Sequence, residues 1–316
     1  MKLTILGTGN ALVTRCFNTC FILDHDGQCL LVDGGGGSMI LSRILEAGYQ
    51  WKDIHHIYVT HKHVDHIMGI VWMVRVICHQ MNLGIYEGEA WIHGHDQVIE
   101  LVEDLSQKLL NGKELVHLNE RIHLHVVEDG ELFHAIGNRF QAFDIHSTKA
   151  KQFGFAMYYE ENGQEKKLTC CGDEPYTEYE KEYAQGSDWL LHEAFCLYGQ
   201  ADRFHPYDHH HSTVREACLK AEELQVKNLI LYHTEDENIE DRKRLYEEEG
   251  RQFYHGNLYV PDDLTRIDLS TGKADLLAGE SCRIRRESSG KGSDGKEISA
   301  KGIKTKRRKT LRSFFR

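Results

Sequence analysis

The most informative segment of the sequence is Thr60-His61-Lys62-His63-Val64-Asp65-His66. His61 and His63 stand two residues apart in an extended loop, so both imidazoles can point at one ion. Asp65 and His66 then turn towards a second ion, and zinc accepts both nitrogen and carboxylate oxygen. A single histidine in an exposed loop would ordinarily bind nothing. The spacing of these four side chains between a strand and a helix indicates a metal site.

Short apolar strands and amphipathic helices alternate on both sides of this motif. The motif follows a predicted strand over 57–60 and precedes apolar residues at helical spacing over 67–78. Further helices are predicted over 38–47 and from Thr213, which has capping-box spacing with Glu216. The other predicted strands are 2–6, 17–23, 28–32, 90–93, 140–146, 154–160, 167–171, 189–192 and 228–233.

The composition indicates a globular protein with a large core. The chain has 316 residues, of which 41% are hydrophobic and 28% charged. It contains no run of eighteen apolar residues, so we expect no membrane span and no membrane partner. Nine cysteines, an odd number without a paired spacing, indicate free thiols in the reducing cytoplasm.

The charge is distributed unevenly along the chain. Residues 281–316 carry thirteen Lys and Arg against three Asp and Glu, a net charge of +10, whereas residues 1–280 carry −21. The basic segment lacks hydrophobic periodicity and is rich in Gly, Ser and Lys, which predicts a disordered tail. It is either a neutral extension or an electrostatic arm for RNA. We therefore expect a single domain over 1–280 followed by this tail.

The motif HxHxDH after a buried strand resembles the signature of the metallo-β-lactamase superfamily. The segments 3–10 (LTILGTGN) and 30–37 (LLVDGGGG) are similar to the superfamily's first strand and its Asp-Gly turn. Two further segments, 191–195 (LHEAF) and 211–213 (HST), resemble elements of its ribonuclease Z branch, and the resemblance extends to about residue 270. It implies an α/β fold, an αββα sandwich of two mixed β-sheets flanked by helices, and a hydrolase activity.

The resemblance also implies a ligand set. The third histidine of the family corresponds to His146, which closes a strand and precedes Phe153-Gly154-Phe155; His123, His125 and His134 compete for this role. Asp173 corresponds to the bridging aspartate and His233 to the last ligand. One Zn²⁺ ion would be bound by His61, His63 and His146, and a second by Asp65, His66 and His233, with Asp173 between them. Mn²⁺ and Fe²⁺ are alternatives to zinc.

Three residues are candidates for the chemistry itself. Asp65 has a second oxygen that can accept a proton from the attacking water. In the ribonuclease Z branch a Glu–His pair serves the leaving group, and Glu193 and His211 match those positions. We expect the carboxylate of Glu193 to raise the pKa of His211. Because His211 ends the run His209-His210-His211, an ordinary surface histidine is the competing interpretation.

The implied substrate is RNA, with cleavage at the 3′ end of a precursor transfer RNA. Two features disagree with it: the body is acidic, and only twenty-six residues, with no proline, separate His146 from Asp173, where that branch carries a long Gly/Pro-rich arm. The alternatives are a small-molecule phosphodiesterase, for example on cyclic nucleotides, and a lactone or ester hydrolase. A non-catalytic binding module and a homodimer are also compatible with the sequence.

Overall fold

The computed structural model describes residues 1–277, so the predicted tail over 281–316 lies outside the described residues. Fifteen strands and eight α-helices are assigned within these residues. The first sheet contains β1 (Lys2–Gly7), β2 (Cys20–His25), β3 (Gln28–Val32), β4 (Ile54–Tyr58), β5 (Ala90–Gly94), β6 (Ile122–Val126), β14 (Thr265–Asp268) and β15 (Ala274–Leu276). Its order is β15-β14-β1-β2-β3-β4-β5-β6, and the strands from β3 to β6 run parallel.

The second sheet is also mixed. It contains β7 (Leu132–Ala135), β8 (Asn138–Asp144), β9 (Phe153–Glu161), β10 (Gln164–Cys170), β11 (Trp189–Glu193), β12 (Asn228–Tyr232) and β13 (Asn257–Tyr259). Its order is β13-β12-β11-β10-β9-β8-β7, with β10 to β13 parallel.

The helices flank these sheets. They are α1 (Met39–Glu46), α2 (Val64–Asn82), α3 (Asp96–Leu109), α4 (Gly112–Leu115), α5 (Lys181–Ala184), α6 (Ala201–Phe204), α7 (Val214–Glu223) and α8 (Arg242–Gly250). No helix within residues 1–277 combines the length and the apolar character needed to cross a membrane.

Three apolar clusters hold the layers together. The inner faces of the two sheets meet around Tyr58, Phe155 and Leu191, which are buried. Outside the first sheet, α1, α2 and α3 bury one apolar face each, and outside the second sheet α7 and α8 do the same. The predicted αββα sandwich of two mixed sheets is therefore confirmed.

Several loops that follow strands lie at one edge of the sandwich. In parallel sheets, the loops after the carboxyl ends of neighbouring strands lie side by side, which is where ligands usually bind. The histidine motif follows β4, Asp173 follows β10 and His233 follows β12. Asp33 and His233 have φ angles of 57° and 58°, in the left-handed region that is rare for residues other than glycine. Such conformations cluster at functional sites.

Candidate metal centre

The motif starts helix α2 in close contact with the loop after β3. His63 is the N-cap of α2, and the backbone N–H of Gly34 donates to the carbonyl of His66 at 2.8 Å. Gly69 faces Gly34 so closely that a Cβ at Gly69 would lie 1.8 Å from the Gly34 carbonyl oxygen. Only glycine allows this approach. It fixes the first turn of α2, and with it Asp65 and His66, against the first sheet.

The structure assembles six predicted ligands into two groups. His61, His63 and Asp173 form one group, and Asp65, His66 and His233 form the other; within each group the ligand atoms lie within 4.8 Å of one another. All six are buried except His63, which is half-buried. Two sets of three nitrogen and oxygen donors at this spacing can each hold a metal ion.

Asp173 joins the two groups. Its Oδ2 atom lies 3.5 Å from His61 Nε2, 3.3 Å from His66 Nε2 and 3.5 Å from His233 Nε2. The preceding residue, Gly172, has a φ of +76°, a conformation that glycine adopts without strain. This turn brings Asp173 to the position between the groups that the sequence resemblance implied.

Hydrogen bonds orient His61 and His66 through a shared aspartate. Asp33 Oδ2 accepts from His66 Nδ1 at 2.7 Å and from the Thr60 hydroxyl at 2.8 Å. Since the Thr60 hydroxyl donates to Asp33, it accepts from His61 Nδ1, 2.9 Å away. Both imidazoles therefore carry their proton on Nδ1, which leaves each Nε2 free to bind a metal.

Two further histidines are positioned in related ways. The Thr19 hydroxyl donates to the carbonyl of Gly9 at 3.0 Å and accepts from His233 Nδ1 at 3.1 Å, which directs His233 Nε2 towards Asp173. His63 instead turns its Nδ1 inward, where it lies 2.8 Å from His61 Nε2. Two ring nitrogens facing each other so closely is the arrangement expected of two ligands of one ion.

His146, the predicted third ligand of the first group, does not join it. The residue is exposed, its φ is 56°, and its backbone N–H donates to the side chain of Asp144. Its ring packs on Tyr179 with 3.8 Å between the ring centroids. The competing His125 lies elsewhere, hydrogen-bonded to His93 on the neighbouring strand. The structure thus gives the first group two histidines and Asp173.

The charges at the centre suit a divalent cation. Burial opposes ionisation of Asp65 and Asp173, but adjacent histidines (His66 for Asp65, and His61 first for Asp173) outweigh it and lower both pKa values. Burial lowers the pKa of His61 and of His233, which keeps them neutral as metal binding requires. For His66, burial is outweighed by Asp65 and Asp33, which raise the pKa, so a bound ion would have to displace a proton from this ring. His66 Nε2 is buried and has no hydrogen-bond partner within residues 1–277. A bound cation would satisfy it.

Glu193 and His211 lie together beside this centre. His211 Nδ1 is 3.7 Å from Glu193 Oε2, and neither atom has a hydrogen-bond partner in the described part of the chain. The other oxygen of Glu193 accepts from the backbone and hydroxyl of Ser212. The expected pKa effect was wrong in direction: burial and His233 lower the pKa of His211 to about 3, and burial raises that of Glu193. Hence His211 is neutral near pH 7.

A cavity of about 970 Å³ opens over the metal centre. One wall is aromatic, because the ring of Phe195 stacks on that of His211 with 5.0 Å between centroids and Phe204 packs on Phe195. Lys62 and Lys149 also line the cavity. It combines an apolar wall, two cations and the ligand cluster, as expected for binding an organic anion.

Sequence reasoning missed the residues that orient the ligands. Asp33 lies in the segment LLVDGGGG, which resembles the Asp-Gly turn of the superfamily, but its hydrogen bonds to Thr60 and His66 have no sequence signal. Thr19 and Gln152, which donates to Asp173, gave no signal, since contacts over such long stretches of chain leave no local pattern.

The comparisons with known proteins agree with this geometry. The family model described as "Anti-Pycsar protein Apyc1" matches residues 1–254. The chain belongs to this family. The match covers both groups of ligands, Glu193 and His211, and it ends before β13.

The chain is also similar to ribonucleases Z and to solved structures of the metallo-β-lactamase fold. A ribonuclease Z of Nitrosopumilus maritimus is 24% identical, covering 85% of this chain and all of that protein. The metallo-β-lactamase fold protein YhfI of Bacillus subtilis has a TM-score of 0.67 at 18% identity, covering 84% and 98% of the two chains. The short form of human tRNase Z has a TM-score of 0.65 at 20% identity, covering 85% and 99%. The predicted resemblance and the prediction of a hydrolase are confirmed.

Proposed function

We propose that this protein is a divalent-metal-dependent phosphodiester hydrolase, with two Zn²⁺ ions as its resident metals. The observation that carries the proposal is the position of Asp173 Oδ2 between two groups of buried ligands. Two bound ions would lower the pKa of a water molecule and stabilise negative charge on the phosphoryl oxygens. The donor set of imidazoles and carboxylates suits zinc.

Asp65 handles the proton of the attacking water. It stands at the first turn of α2 with Oδ2 3.3 Å from His66 Nε2. The pKa of Asp65 is held low by His66 against the effect of burial, so the carboxylate is ionised and can accept or orient a proton. Its location on a helix that is fixed at Gly69 keeps this oxygen in place.

His211 serves the leaving group as a neutral donor. Because its pKa is about 3, it is uncharged in the free protein near pH 7. A neutral imidazole still carries one N–H, which can donate to an oxygen that gains negative charge. An anionic phosphodiester in the cavity would favour the protonated form of His211 and so raise its pKa, which makes His211 a better general acid in the complex with substrate.

The cavity favours a small nucleotide-like phosphodiester. Phe195 and Phe204 offer a surface on which a base can stack, and Lys149 can attract a single phosphate. Beyond the ligands, four carboxylates line the same cavity and would repel a polyanion: Asp208, Glu235, Asp236 and Glu237. The region between His146 and Asp173 forms no arm, because β9 and β10 join through the two-residue turn Asn162-Gly163.

The second candidate is cleavage of RNA at its 3′ end. It is favoured by relatives named ribonuclease Z that align with this chain over 100% and 96% of their own length. The basic segment over 281–316 could supply the attraction for RNA that the acidic body lacks.

A direct competition of substrates tests the proposal. Zinc-loaded protein is assayed on a cyclic nucleoside monophosphate, a precursor transfer RNA with a 3′ trailer, and a lactone. We expect the nucleotide to be hydrolysed with the highest kcat/KM. Faster cleavage of the transfer RNA would select the second candidate, and turnover of the lactone alone would reject both.

Asp65→Ala is the inactive reference for this assay, and Asp104→Ala on α3, whose half-buried carboxylate pairs with Lys108, is its matched control. We expect the first variant to lose turnover and to bind metal more weakly, and the second to behave as the wild type. Near-normal turnover by Asp65→Ala would rule out the proposed mechanism.

A further inference from the structure

Gln152 lies beside the candidate metal centre, and no sequence pattern singles it out. Its side-chain Nε2 donates to Asp173 Oδ1 at 2.8 Å, and the residue is 1% exposed. The next residue, Phe153, donates its backbone N–H to the carbonyl of Thr60 at 3.0 Å. Gln152 is therefore held by the segment that also carries the histidine motif.

The two oxygens of Asp173 have different surroundings because of this amide. Oδ1 is taken by Gln152, whereas Oδ2 faces three ring nitrogens at 3.3–3.5 Å, those of His61, His66 and His233. A carboxylate oxygen that already accepts an amide hydrogen bond in a buried site is poorly placed to bind a cation as well. The other oxygen is then the only one that both groups of ligands can share.

The orientation of the Gln152 amide is fixed by its neighbours. A Cβ at Gly172 would lie 2.6 Å from Gln152 Nε2, so the amide packs directly against the glycine that precedes Asp173. The backbone carbonyl of Gln152 accepts from the N–H of Ile145 at 3.1 Å. Turning the amide over would place its oxygen against Asp173 Oδ1, with two acceptors facing each other and no proton between them.

We propose that Gln152 is a positioning residue that makes Asp173 bind through Oδ2 alone, so that this oxygen is shared by the two ion positions. Without the amide, Asp173 is free to rotate and to bind one ion through both oxygens, which weakens the link to the other position. The inference rests on the proposed metal centre, and it concerns how metal is bound.

The test measures zinc binding by competition with a chromophoric chelator. Gln152→Leu removes the donor at similar volume. Gln141→Leu, on β8, is the matched control, because it also removes one side-chain amide hydrogen bond, the one that Gln141 donates to the carbonyl of Gly130. We expect Gln152→Leu to weaken binding of one zinc ion by about 10–100-fold, the usual cost of removing a hydrogen-bond partner of a ligand. The control should bind zinc as the wild type does. Equal affinity in all three proteins would overturn the inference.

A crystal structure of the zinc-loaded wild type gives a second, independent outcome, which holds even if Gln152→Leu does not fold. We expect Asp173 Oδ2 between the two ions and Oδ1 on the amide of Gln152. Contact of Oδ1 with an ion would overturn the inference. Both measurements are made without turnover, so a protein that binds zinc in this way but hydrolyses no phosphodiester would reject the proposed function alone.

Discussion

At the scale of single residues, the hydrogen bonds around the ligands determine what each ligand can do. Thr60, Asp33 and Thr19 place the protons of three histidines on Nδ1 and so direct Nε2 inward. His211 differs from those three, because its Nδ1 faces Glu193 and has no closer partner within residues 1–277. This leaves His211 as a residue for substrate, outside the two groups of ligands.

The role of His211 predicts a dependence on the leaving group. Alkoxide leaving groups such as a ribose oxygen need a proton, whereas nitrophenolate leaves readily without one. His211→Ala should slow hydrolysis of a nucleotide phosphodiester by roughly 10²–10⁴-fold, the usual scale of general acid catalysis. The loss on a nitrophenyl phosphodiester should be far smaller, with metal content unchanged.

Glu193→Gln is the companion variant of this experiment. Glutamine keeps an oxygen that can accept from Ser212, so we expect a weaker effect in the same direction. Steady-state kinetics on both substrates give the comparison. Equal losses on the two substrates, or loss of metal from His211→Ala, would show that His211 is structural or a ligand.

At the scale of secondary-structure elements, three neighbouring strands carry a row of histidines apart from the metal centre. His56 Nδ1 lies 3.1 Å from His93 Nε2, and His93 Nδ1 lies 2.9 Å from His125 Nδ1. The last histidine of this row, His125, has its Nε2 3.3 Å from the carboxylate of Glu131. Burial and His55 lower the pKa of His56 from 6.5 to about 4, and burial also lowers that of His93.

The low pKa of His56 in this row of histidines predicts that the folded protein loses stability in acid. Between pH 6.5 and 4 the unfolded chain binds more protons at His56 than the folded chain does, so the free energy of unfolding falls as the pH falls. In His56→Gln the fall between pH 7 and 4 should be smaller by about 2 kcal/mol, after allowance for partial exposure. Urea unfolding of metal-free protein measures it, with the exposed His134→Gln as control; equal falls in all three proteins would contradict it.

The elements also show what the sequence could and could not predict. Strands β1, β3, β10 and β12 and helix α1 agree with the predictions because their apolar patterns are local, and Asp173 and His233 follow β10 and β12. The predicted strands do not include β6 (Ile-His-Leu-His-Val), although its alternation of apolar residues and histidines is itself a strand pattern. His146 follows β8 as predicted, but a left-handed backbone turns it outward, and no local pattern reveals that.

At the scale of the whole molecule, an acidic body over residues 1–280 is followed by a basic segment over 281–316. The body carries −21 and its cavity is lined by carboxylates beyond the ligands, whereas the segment carries +10. The domain boundary near residue 280 stays a prediction from composition. If the segment supplies only non-specific attraction, it matters for RNA and not for a small substrate.

Truncation after Gly279 tests this division of roles. Turnover of a small chromogenic phosphodiester should be unchanged, and the salt dependence of RNA binding should become flatter, because fewer cations are displaced from the RNA. Kinetics and binding titrations at several salt concentrations measure the two effects. Loss of activity on the small substrate would show that the domain extends beyond residue 280.

The proposed hydrolytic mechanism depends on the metal content of the protein. Six ligands in two groups around Asp173 Oδ2 predict two ions in each chain. The measurement is elemental analysis of protein loaded with zinc and freed of excess metal. About two zinc ions per chain is the predicted result; less than one ion per chain would contradict the metal centre and the hydrolytic mechanism built on it.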